Sequence, residues 1–558
     1  MALNFVSPIV WKGIGTLILL LVGKFLYGGY ITRSRVRAMK AQGIPILPHS
    51  LLFGHLPIFA DFRAENPPDS NIYNFHKWII ENCKRYWPDR NYPPTVVYID
   101  MWPIVDSLAM VMDPAACAQF TQTNSLPKPN IVKQFLEPLT AANDIVSTDG
   151  QVWKTWRSRF NPGFSQRNLT TLLPEILEEM TVFVQILRDL AGEDGKWGPV
   201  FQLEERTTNL TFDIICRAVL DLRLQEQTSS SQSSSLKVAL LDQIKLMGMM
   251  ANASRGLPIG RLPWHRAAII RNNRDLRNIL LPQIQKKLQA DGNDVQKKTV
   301  VDLAIKYVDK DDPSASKQKP NAEFIDRLIS NLKAFLFAGH DTTASTICFM
   351  TKELIDHPEC LAKVQAEHDA IFGKDPEKAA EALASQPHLL HSLPYTLGVC
   401  KETLRLHPLA ATIRECDESF CLTGRDGMTF PMAGFGAWLS PHGCQRHPDY
   451  WPRPNDFLPE RWLTGEGDPM YPAKEAYTPF SVGPRNCIGM ELALMELKLV
   501  LVLTSRTFEF QEAWDEWDKK QGARATPSHK VKGQRSYGVG NSTVHSKDGM
   551  PVHVRLRD

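Results

Sequence analysis

The chain has 558 residues, of which 43% are hydrophobic and 22% are charged. These fractions are ordinary for a globular protein and exclude a disordered one. The 64 basic and 61 acidic residues give a formal charge of +3, so no concentrated basic excess indicates a nucleic-acid partner. The 10 cysteines show no CxxC spacing, which argues against structural zinc and against a small disulfide scaffold and favours a reducing compartment.

An apolar segment stands near the start of the chain. Residues 13–30 (GIGTLILLLVGKFLYGGY) are long enough to span a bilayer if the helix tilts and its lysine snorkels toward the surface. Four basic residues follow at positions 33–40, without the small-residue cleavage site of a signal peptide. The positive-inside rule then places the C-terminal body in the cytosol. We predict a transmembrane anchor over residues 1–30, with a monotopic helix in the membrane interface as the alternative.

A basic and proline-rich stretch follows the anchor. Its three prolines stand among apolar residues at positions 43–57, which disfavours a helix and favours an extended connector there, and we predict a basic and proline-rich hinge over residues 31–57. Residues 95–100 and 104–111 have the pattern of short strands, whereas helical periodicity dominates from residue 151 onward. The body, residues 58–558, is therefore predicted to be mainly helical with a small β region.

The strongest chemical signal is the segment FSVGPRNCIG at residues 480–489. A thiolate that binds iron needs backbone N–H donors around its sulfur, and a tight loop of this kind requires glycine where a side chain would clash. Gly483 and Gly489 provide that room on either side of Cys487. Residues 490–504 have helical periodicity, and a helix N-terminus beside the cysteine favours its anionic form.

Two neighbours of Cys487 support the same interpretation. Arg485 can donate a charge-assisted hydrogen bond to an anionic cofactor group, and Phe480 can cover the sulfur with an apolar ring. The alternative is a buried structural cysteine, the usual state of a free thiol. Cys444, in PHGCQRHP, offers the comparison because it lacks the flanking glycines and the following helix. The sequence therefore predicts Cys487 as the axial ligand of a haem iron.

This segment resembles the F-x-x-G-x-R-x-C-x-G loop of the cytochrome P450 superfamily, and the resemblance runs from the anchor to the last strands. It implies the P450 fold, a mainly α-helical prism with a small β region, and one haem b as cofactor. Trp153 and Arg157 in WKTWR are similar to the W-x-x-x-R pair of the family, which donates to a haem propionate. Arg414 is placed like a further propionate partner.

The segment FAGHDTT resembles the A/G-G-x-D/E-T-T/S motif of the family and lies in a helical pattern over residues 324–356. The Thr342 hydroxyl, four residues after Ala338, can bond the Ala338 carbonyl, open the helix and make room for dioxygen and a water. Gly339 lowers the cost of that distortion. We predict Asp341 as the acid that relays protons to this site; a polar patch on an amphipathic helix is the alternative.

A third motif is structural. Glu402 and Arg405 in KETLRLHP lie on one helical face and are similar to the E-x-x-R pair of the family. Arg461, in FLPERW, resembles the arginine of the P-E-R-F segment, with Trp462 in place of the usual Phe. The resemblance implies that Glu402, Arg405 and Arg461 form a network that braces the cysteine loop.

The resemblance implies a monooxygenase that inserts one oxygen atom of dioxygen into a hydrophobic organic substrate. A membrane anchor without a flavin or NADPH domain implies electrons from a separate NADPH-cytochrome P450 reductase, which docks near Cys487, and a place in the endoplasmic reticulum membrane. The motifs are similar to those of fungal P450s of secondary metabolism, including those that oxidise polyketide mycotoxin precursors.

Two other functional classes stay open. One is a P450-fold isomerase or dehydratase that needs no reductase, and the other is a non-catalytic haem-binding sensor or carrier. The intact pair of Asp341 and Thr342 counts against both, because neither class needs a proton relay. No motif identifies the residues of the substrate pocket.

Overall fold

The structure of the protein is a computed structural model that describes residues 8–228, 233–253, 262–289, 298–306, 321–540 and 543–557. Within these residues the chain folds mainly as helices, which confirms the mainly α prediction. The helices are α1 (Pro8–Ala41), α2 (Leu56–Glu65), α3 (Tyr73–Glu81), α4 (Cys83–Tyr86), α5 (Pro114–Ala118), α6 (Asn130–Thr140), α7 (Gly150–Phe160), α8 (Gln166–Thr171), α9 (Leu173–Leu190), α10 (Leu203–Leu220), α11 (Ser235–Ala253), α12 (Pro263–Gln289), α13 (Val300–Lys306), α14 (Ala322–Asp356), α15 (Pro358–Phe372), α16 (Lys378–Ser385), α17 (Pro394–Leu406), α18 (Pro441–Gln445), α19 (Met490–Thr504) and α20 (Trp514–Gln521).

The strands are short and form small sheets. They are β1 (Val96–Ile99), β2 (Leu108–Val111), β3 (Phe201–Gln202), β4 (Ile413–Arg414), β5 (Cys421–Thr423), β6 (Thr429–Pro431), β7 (Gly436–Leu439), β8 (Phe508–Glu512), β9 (Gly538–Val539), β10 (His545–Ser546) and β11 (Pro551–Leu556). The largest sheet has the order β1-β2-β7-β4, and its central pair, β2 and β7, is parallel. The other sheets have the orders β3-β11-β8, β5-β6 and β10-β9. The strand predicted over residues 104–111 begins only at Leu108, because a turn occupies residues 102–104.

Helix α14 runs through the centre of the body. The Asn321 side chain caps its N-terminus by accepting a hydrogen bond from the Phe324 backbone N–H at 2.8 Å. The helix ends at Asp356, two residues before Pro358, which lacks the N–H needed to continue it. All side chains of residues 328–336 are buried, because α6, α10, α17 and α19 pack around this helix. The FAGHDTT segment therefore lies inside the body.

Helix α1 is longer than the predicted anchor. It has an apolar window with a mean hydropathy of 1.7 and only 6% of its residues buried, so by length and composition it can cross a membrane. The helix continues to Ala41, so the predicted boundary at residue 30 falls inside it. Residues 1–7 of the predicted anchor lie outside the described residues.

The second half of α1 packs against the catalytic body. Arg33 is buried and pairs with Asp100, and its guanidinium also donates to the Trp102 carbonyl at 2.9 Å. Val36 and Met39 are buried against the same part of the molecule. Residues 31–41 of the predicted hinge are therefore helical, held by this buried ion pair and apolar contact, and the connector predicted to be extended follows them, with no helix or strand over residues 44–49.

Candidate functional site

The cysteine loop, residues 480–489, lies directly before α19. The Cys487 backbone N–H donates to the Phe480 carbonyl at 2.8 Å, which closes the loop. Gly483 has φ +81°, and a Cβ atom there would clash with the Thr121 carbonyl oxygen, so only glycine fits. Gly489 is different: its φ is negative, and the nearest atom to a Cβ built there is the Cys487 Sγ at 4.0 Å. Its lack of a side chain leaves room beside the sulfur.

The surroundings of Cys487 also shift the pKa of its thiol. Burial raises the pKa of Cys487, whereas a hydrogen bond from the Gly489 backbone N–H and the positive charge of Arg157 lower that pKa. Arg157, on α7, donates to the Asn486 carbonyl at 2.8 Å and to its side-chain Oδ1 at 2.9 Å. These bonds place Arg157 as a support of the cysteine loop, in addition to the propionate contact that the resemblance implies.

Cys444 occupies a different environment. It is fully buried, its sulfur lies 3.5 Å from the Cys117 sulfur, and its carbonyl accepts a hydrogen bond from the Trp451 indole at 2.9 Å. This thiol packs in the core of the sheet region, as expected for a structural cysteine.

Cationic side chains converge on one buried volume beside the loop. Arg485 pairs with Asp149 at 2.6 Å, and the Trp153 ring stacks on its guanidinium with 4.4 Å between the Arg485 Cζ and the ring centroid. Burial lowers the pKa of Lys128 well below its usual value, and the charges of Arg414 and Arg485 lower it further. We call Lys128, Arg414 and Arg485 the cationic cluster.

Arg414 is the decisive member of this cluster. Register within the largest sheet places it opposite Ala437, and its side chain is fully buried. None of its three guanidinium nitrogens has a hydrogen-bond partner among the described residues. Burial first, and then the charge of Arg485, lower the pKa of Arg414 to about 10, so it is still charged at neutral pH. A buried cation of this kind requires an anion.

Haem b fits these residues. Its two propionates would supply the negative charge that the cationic cluster needs, with Asp149 as the carboxylate already present there. The Cys487 thiol would supply the axial sulfur, beside the backbone N–H of Gly489. The cluster and the cysteine loop are joined by Arg485, which belongs to both.

The centre of α14 carries the predicted acid and alcohol. The Thr342 hydroxyl donates to the Ala338 carbonyl at 3.0 Å, the bond that the sequence predicts. The helix nevertheless stays continuous from Ala322 to Asp356, without the predicted local opening. Gly339 has a packing role, because a Cβ atom there would lie 2.8 Å from the Ile215 side chain on α10.

Comparison with known proteins decides the family. The family model described as Cytochrome P450 matches residues 99–532 of the chain. This chain belongs to the cytochrome P450 family. It is 35% identical to the cytochrome P450 monooxygenase polC of Polytolypa hystricis, over 96% of this chain and 93% of that protein. It is 30% identical to the cytochrome P450 monooxygenase acrF of Aspergillus aculeatus, over 82% of this chain and 94% of that protein.

A solved structure shows the same fold. The haem domain of cytochrome P450DA superposes with a TM-score of 0.70 and 18% identity, over 92% of this chain and 98% of that one. The P450 fold and the classification as a P450 monooxygenase are thereby confirmed, and the family implies a haem-thiolate cofactor.

The E-x-x-R network of this P450 is complete and fully buried. Arg405 donates to both Glu402 oxygens at 2.8 and 2.9 Å, and Arg461 donates to Glu402 at 3.0 Å. Trp462, in place of the usual Phe, adds an indole N–H bond to Glu402 at 3.0 Å. One carboxylate therefore binds two arginines and an indole.

This network reaches the cysteine loop indirectly. The Arg405 guanidinium donates to the carbonyls of Gln445, Pro454 and Asp456, which hold residues 445–456 in place. The Gln445 side chain in turn accepts from the Thr478 N–H at 2.9 Å, two residues before the loop begins. The bracing predicted from the sequence thus passes through Gln445.

Two residues of the site, Lys128 and Glu496, were not predicted from the sequence. Lys128 joins the cationic cluster and donates to the Thr412 hydroxyl at 2.7 Å, but only its position between two prolines distinguishes it in the sequence. Burial raises the pKa of Glu496, on α19, well above its usual value, and the Thr343 side chain hydrogen-bonds to it. This contact joins the helix after Cys487 to the helix that carries Thr342.

An apolar cavity of about 690 Å³ lies beside the cationic cluster. Pro129 and Ile413, the neighbours of Lys128 and Arg414 in sequence, line one end of it. Met101, next to the Trp102 that contacts α1, lines another part. Its lining residues belong to neither α1, α14 nor the cysteine loop.

Proposed function

We propose that this P450 binds haem b through Cys487 and inserts one oxygen atom of dioxygen into a hydrophobic organic substrate, with electrons from NADPH. The observation that carries the proposal is Arg414, a fully buried cation without a partner among the described residues, in one cluster with Arg485 of the cysteine loop. A dianionic cofactor held there and bound at the neighbouring thiol accounts for both features.

The residues around the haem site have separate roles in stabilising the thiolate and in binding the propionates. When bound, haem b supplies the iron at which dioxygen is activated. The Gly489 N–H and the Arg157 charge favour the thiolate at Sγ of Cys487. Arg414 and Lys128 hold the propionate groups by charge.

Thr342 and Asp341 control protons on α14. The Thr342 hydroxyl donates its hydrogen to Ala338, so its oxygen lone pairs can accept hydrogen bonds from a water. Asp341, one residue earlier, gives protons to that water as a general acid, a role that typically contributes about 10²–10⁴-fold to a rate. An isomerase or a haem carrier would not need proton transfer by this pair.

We infer that electrons come from a separate NADPH-cytochrome P450 reductase, which docks on the face behind Cys487. A second cavity of about 340 Å³ on that face is lined by Phe480 and Met490, next to the cysteine, and by Lys401 and Lys498. Lys401 is the lysine there that suits an acidic flavoprotein surface, because Lys498 is buried and donates to the Leu390 carbonyl.

The apolar helix α1 supports a place in the endoplasmic reticulum membrane, with the body in the cytosol. The 690 Å³ cavity is lined mainly by apolar side chains, which suits a hydrophobic substrate. The relatives polC and acrF are fungal monooxygenases, and the resemblance of the motifs to those of fungal secondary-metabolism P450s leads us to propose a substrate of that kind, such as a polyketide mycotoxin precursor.

The test has two steps. Metabolite profiling of a deletion strain identifies the substrate as the compound that accumulates. Turnover of that compound with the reductase then compares the wild type with Thr342→Ala and Asp341→Asn. In Thr342→Ala, NADPH consumption should continue while product per NADPH falls and hydrogen peroxide rises. The reason is that no hydroxyl then positions the water that delivers protons to one oxygen atom of dioxygen. Asp341→Asn should instead slow NADPH consumption.

The outcomes separate the functional classes. An isomerase or dehydratase would convert its substrate without NADPH, and a haem carrier would convert nothing. Normal coupling of NADPH to product in Thr342→Ala would remove Thr342 from the proposed mechanism.

A further inference from the structure

The predicted acid Asp341 has partners from the C-terminal hairpin. The Thr543 hydroxyl donates to Asp341 Oδ2, and His545 Nε2 lies 3.5 Å from Asp341 Oδ1. Thr543 and His545 also contact each other, with 3.1 Å between the Thr543 oxygen and the His545 Nε2. Strand β10 therefore places an imidazole directly against the side chain of Asp341.

A second carboxylate holds the other side of this imidazole. His545 Nδ1 lies 3.1 Å from Glu204 Oε1, at the start of α10. The same Glu204 oxygen accepts a hydrogen bond from the Ser345 hydroxyl at 2.7 Å, one turn after Asp341 on α14. Three elements thus build a carboxylate–imidazole–carboxylate array, which we call the Asp341–His545–Glu204 triad.

The charges around His545 favour its protonated form. The carboxylates that face it are Glu204 from α10 and Asp341 from α14, whereas Ser345 and Thr543 are neutral. The adjacent His340 donates its Nδ1–H to the Leu336 carbonyl, and burial lowers the pKa of His340. Burial opposes a charge on His545, but the Glu204 hydrogen bond and the charges of both carboxylates raise the pKa of His545 to about 9.

The triad connects Asp341 to solvent. The Asp341 side chain is 16% exposed and that of Glu204 is 13% exposed, whereas the His545 side chain is 33% exposed. The imidazole is therefore the member that exchanges protons with water most readily, and Asp341 is the member on the helix of Thr342.

We propose that His545, oriented by Glu204, is a positioning residue that returns a proton to Asp341 after Asp341 has given one to the dioxygen site. In each cycle the Nε2–H of the imidazolium gives one proton to the Asp341 carboxylate, and one proton from water restores the imidazolium; no electrons move. The inference rests on the proposed function, because it takes Asp341 as the acid.

A purely structural role would also use these contacts, since the triad fastens the C-terminal hairpin to α14. The two roles differ in pH dependence. A relay requires a titrating group at position 545, whereas a fastening contact requires only a hydrogen-bonding side chain of similar shape. His545→Gln removes the first property and keeps much of the second.

The experiment measures NADPH-driven dioxygen consumption by the full-length holoenzyme with NADPH-cytochrome P450 reductase and no added organic substrate. Between pH 6 and pH 10, we expect the wild-type rate to fall as the pH rises through about 9. We expect His545→Gln to be about tenfold slower at pH 7, to lose this fall and to show a larger solvent deuterium isotope effect.

The matched control is His553→Gln. His553 is a C-terminal histidine on β11 that also faces a carboxylate, with 3.2 Å between its Nε2 and Glu516. Within the described part of the chain its ring contacts Gly198 and Glu516 and not Asp341, so its replacement should leave the rate and the pH profile at wild-type values. If His545→Gln also retained both, the relay would be wrong.

Stability supplies a readout that is independent of turnover. The folded-state pKa of His545 lies above the unfolded value near 6.5, so its charged form stabilises the fold fully below about pH 6.5. This stabilisation is lost as the pH rises through about 9. The unfolding midpoint of the wild type should therefore approach that of His545→Gln over this interval. A difference between the two that does not change with pH would overturn the triad.

Asp341→Asn separates the two proposals. If it slows dioxygen consumption and His545→Gln does not, only the relay is overturned. If Asp341→Asn is as fast as the wild type, the acid role and the relay both fail. If His545→Gln does not retain haem, Glu204→Gln tests the same array, because it removes the carboxylate that orients His545 and raises its pKa while the histidine stays; an unchanged rate and pH profile in that variant would overturn the relay.

Discussion

Arg414 is a buried positive charge whose partner is not a residue of the described chain. Its energetic effect therefore depends on the cofactor. In the haem-free protein the desolvated guanidinium costs free energy, and in the holoprotein a propionate offsets that cost. One substitution should thus change the stability of the two forms in opposite directions.

We expect Arg414→Met to stabilise the haem-free protein by about 1–3 kcal/mol and to lower the haem content of the purified protein. Chemical denaturation of the haem-free form and the absorbance of the haem band measure the two effects. Loss of stability in the haem-free form would show that Arg414 has a protein partner.

Arg461→Met is the control, because Arg461 is equally buried but paired with Glu402. Its removal breaks a buried ion pair and should destabilise the haem-free protein and the holoprotein alike, by about 3–5 kcal/mol. Equal behaviour of the two arginine variants would remove the distinction between a cofactor-binding and a structural arginine.

The different environments of Cys487 and Cys444 give a spectroscopic prediction. Cys487→Ala should abolish the red-shifted carbon monoxide band of the reduced protein that is typical of thiolate ligation, because the loop offers the iron no other sulfur. Cys444→Ala should keep the band, since that thiol packs against Cys117. An unchanged band in Cys487→Ala would contradict the assignment of the axial ligand.

At the scale of structural elements, the cysteine loop depends on one backbone conformation. Gly483 combines φ +81° with a clash that any Cβ would make with Thr121. We expect Gly483→Ala to destabilise the protein by about 2 kcal/mol or more and to lower its haem content. Gly465→Ala is the control, because its Cβ would meet no atom within 4 Å and its φ is not positive. Thermal unfolding and the carbon monoxide spectrum compare the two.

Sequence patterns predicted the elements whose signal is local. The helix over residues 490–504 and the long helix of FAGHDTT were predictable because each has a periodic apolar face and a clear start or stop residue. The bond between Thr342 and Ala338 was predictable for the same reason, since both partners lie on one helix. Spacing within an element was sufficient in these cases.

Contacts between distant segments were not predictable from a single sequence. His545 meets Asp341 across 204 residues of chain, and Lys128 meets Arg414 only because the fold brings their elements together. The packed helical continuation of α1 through residues 31–41 was not predictable for this reason: the partner of Arg33 is Asp100, which no local pattern indicates.

At the scale of the whole molecule, α1 belongs to both the anchor and the body. The Phe25 ring lies 4.3 Å from the Trp102 ring, and a Cβ atom on Gly29 would lie 2.7 Å from the same indole. Asp100, at the end of the contact, also binds His49 at 2.9 Å. The helix is therefore fastened to the body from about Phe25 onward, which gives the catalytic body a fixed orientation relative to the anchor.

The packing of α1 against the body predicts that a short N-terminal truncation leaves the stability of the fold unchanged, whereas a longer truncation lowers it. Removal of residues 1–24 takes away only part of the apolar span, so the protein should bind haem, unfold at the wild-type midpoint and partition less to membranes. Removal of residues 1–41 takes away Arg33, Val36 and Met39 and leaves Asp100 buried without its arginine. Breaking a buried pair alone costs about 3–5 kcal/mol, so this form should lose stability and haem.

A pair of single substitutions in the full-length protein separates this packing from the anchor. Arg33→Met should lower the unfolding midpoint without affecting membrane partition, because the apolar span is intact. Arg37→Met, at an exposed position of the same helix, should leave the midpoint at the wild-type value. If the form without residues 1–41 were as stable as the form without residues 1–24, residues 25–41 would contribute nothing to the stability of the fold.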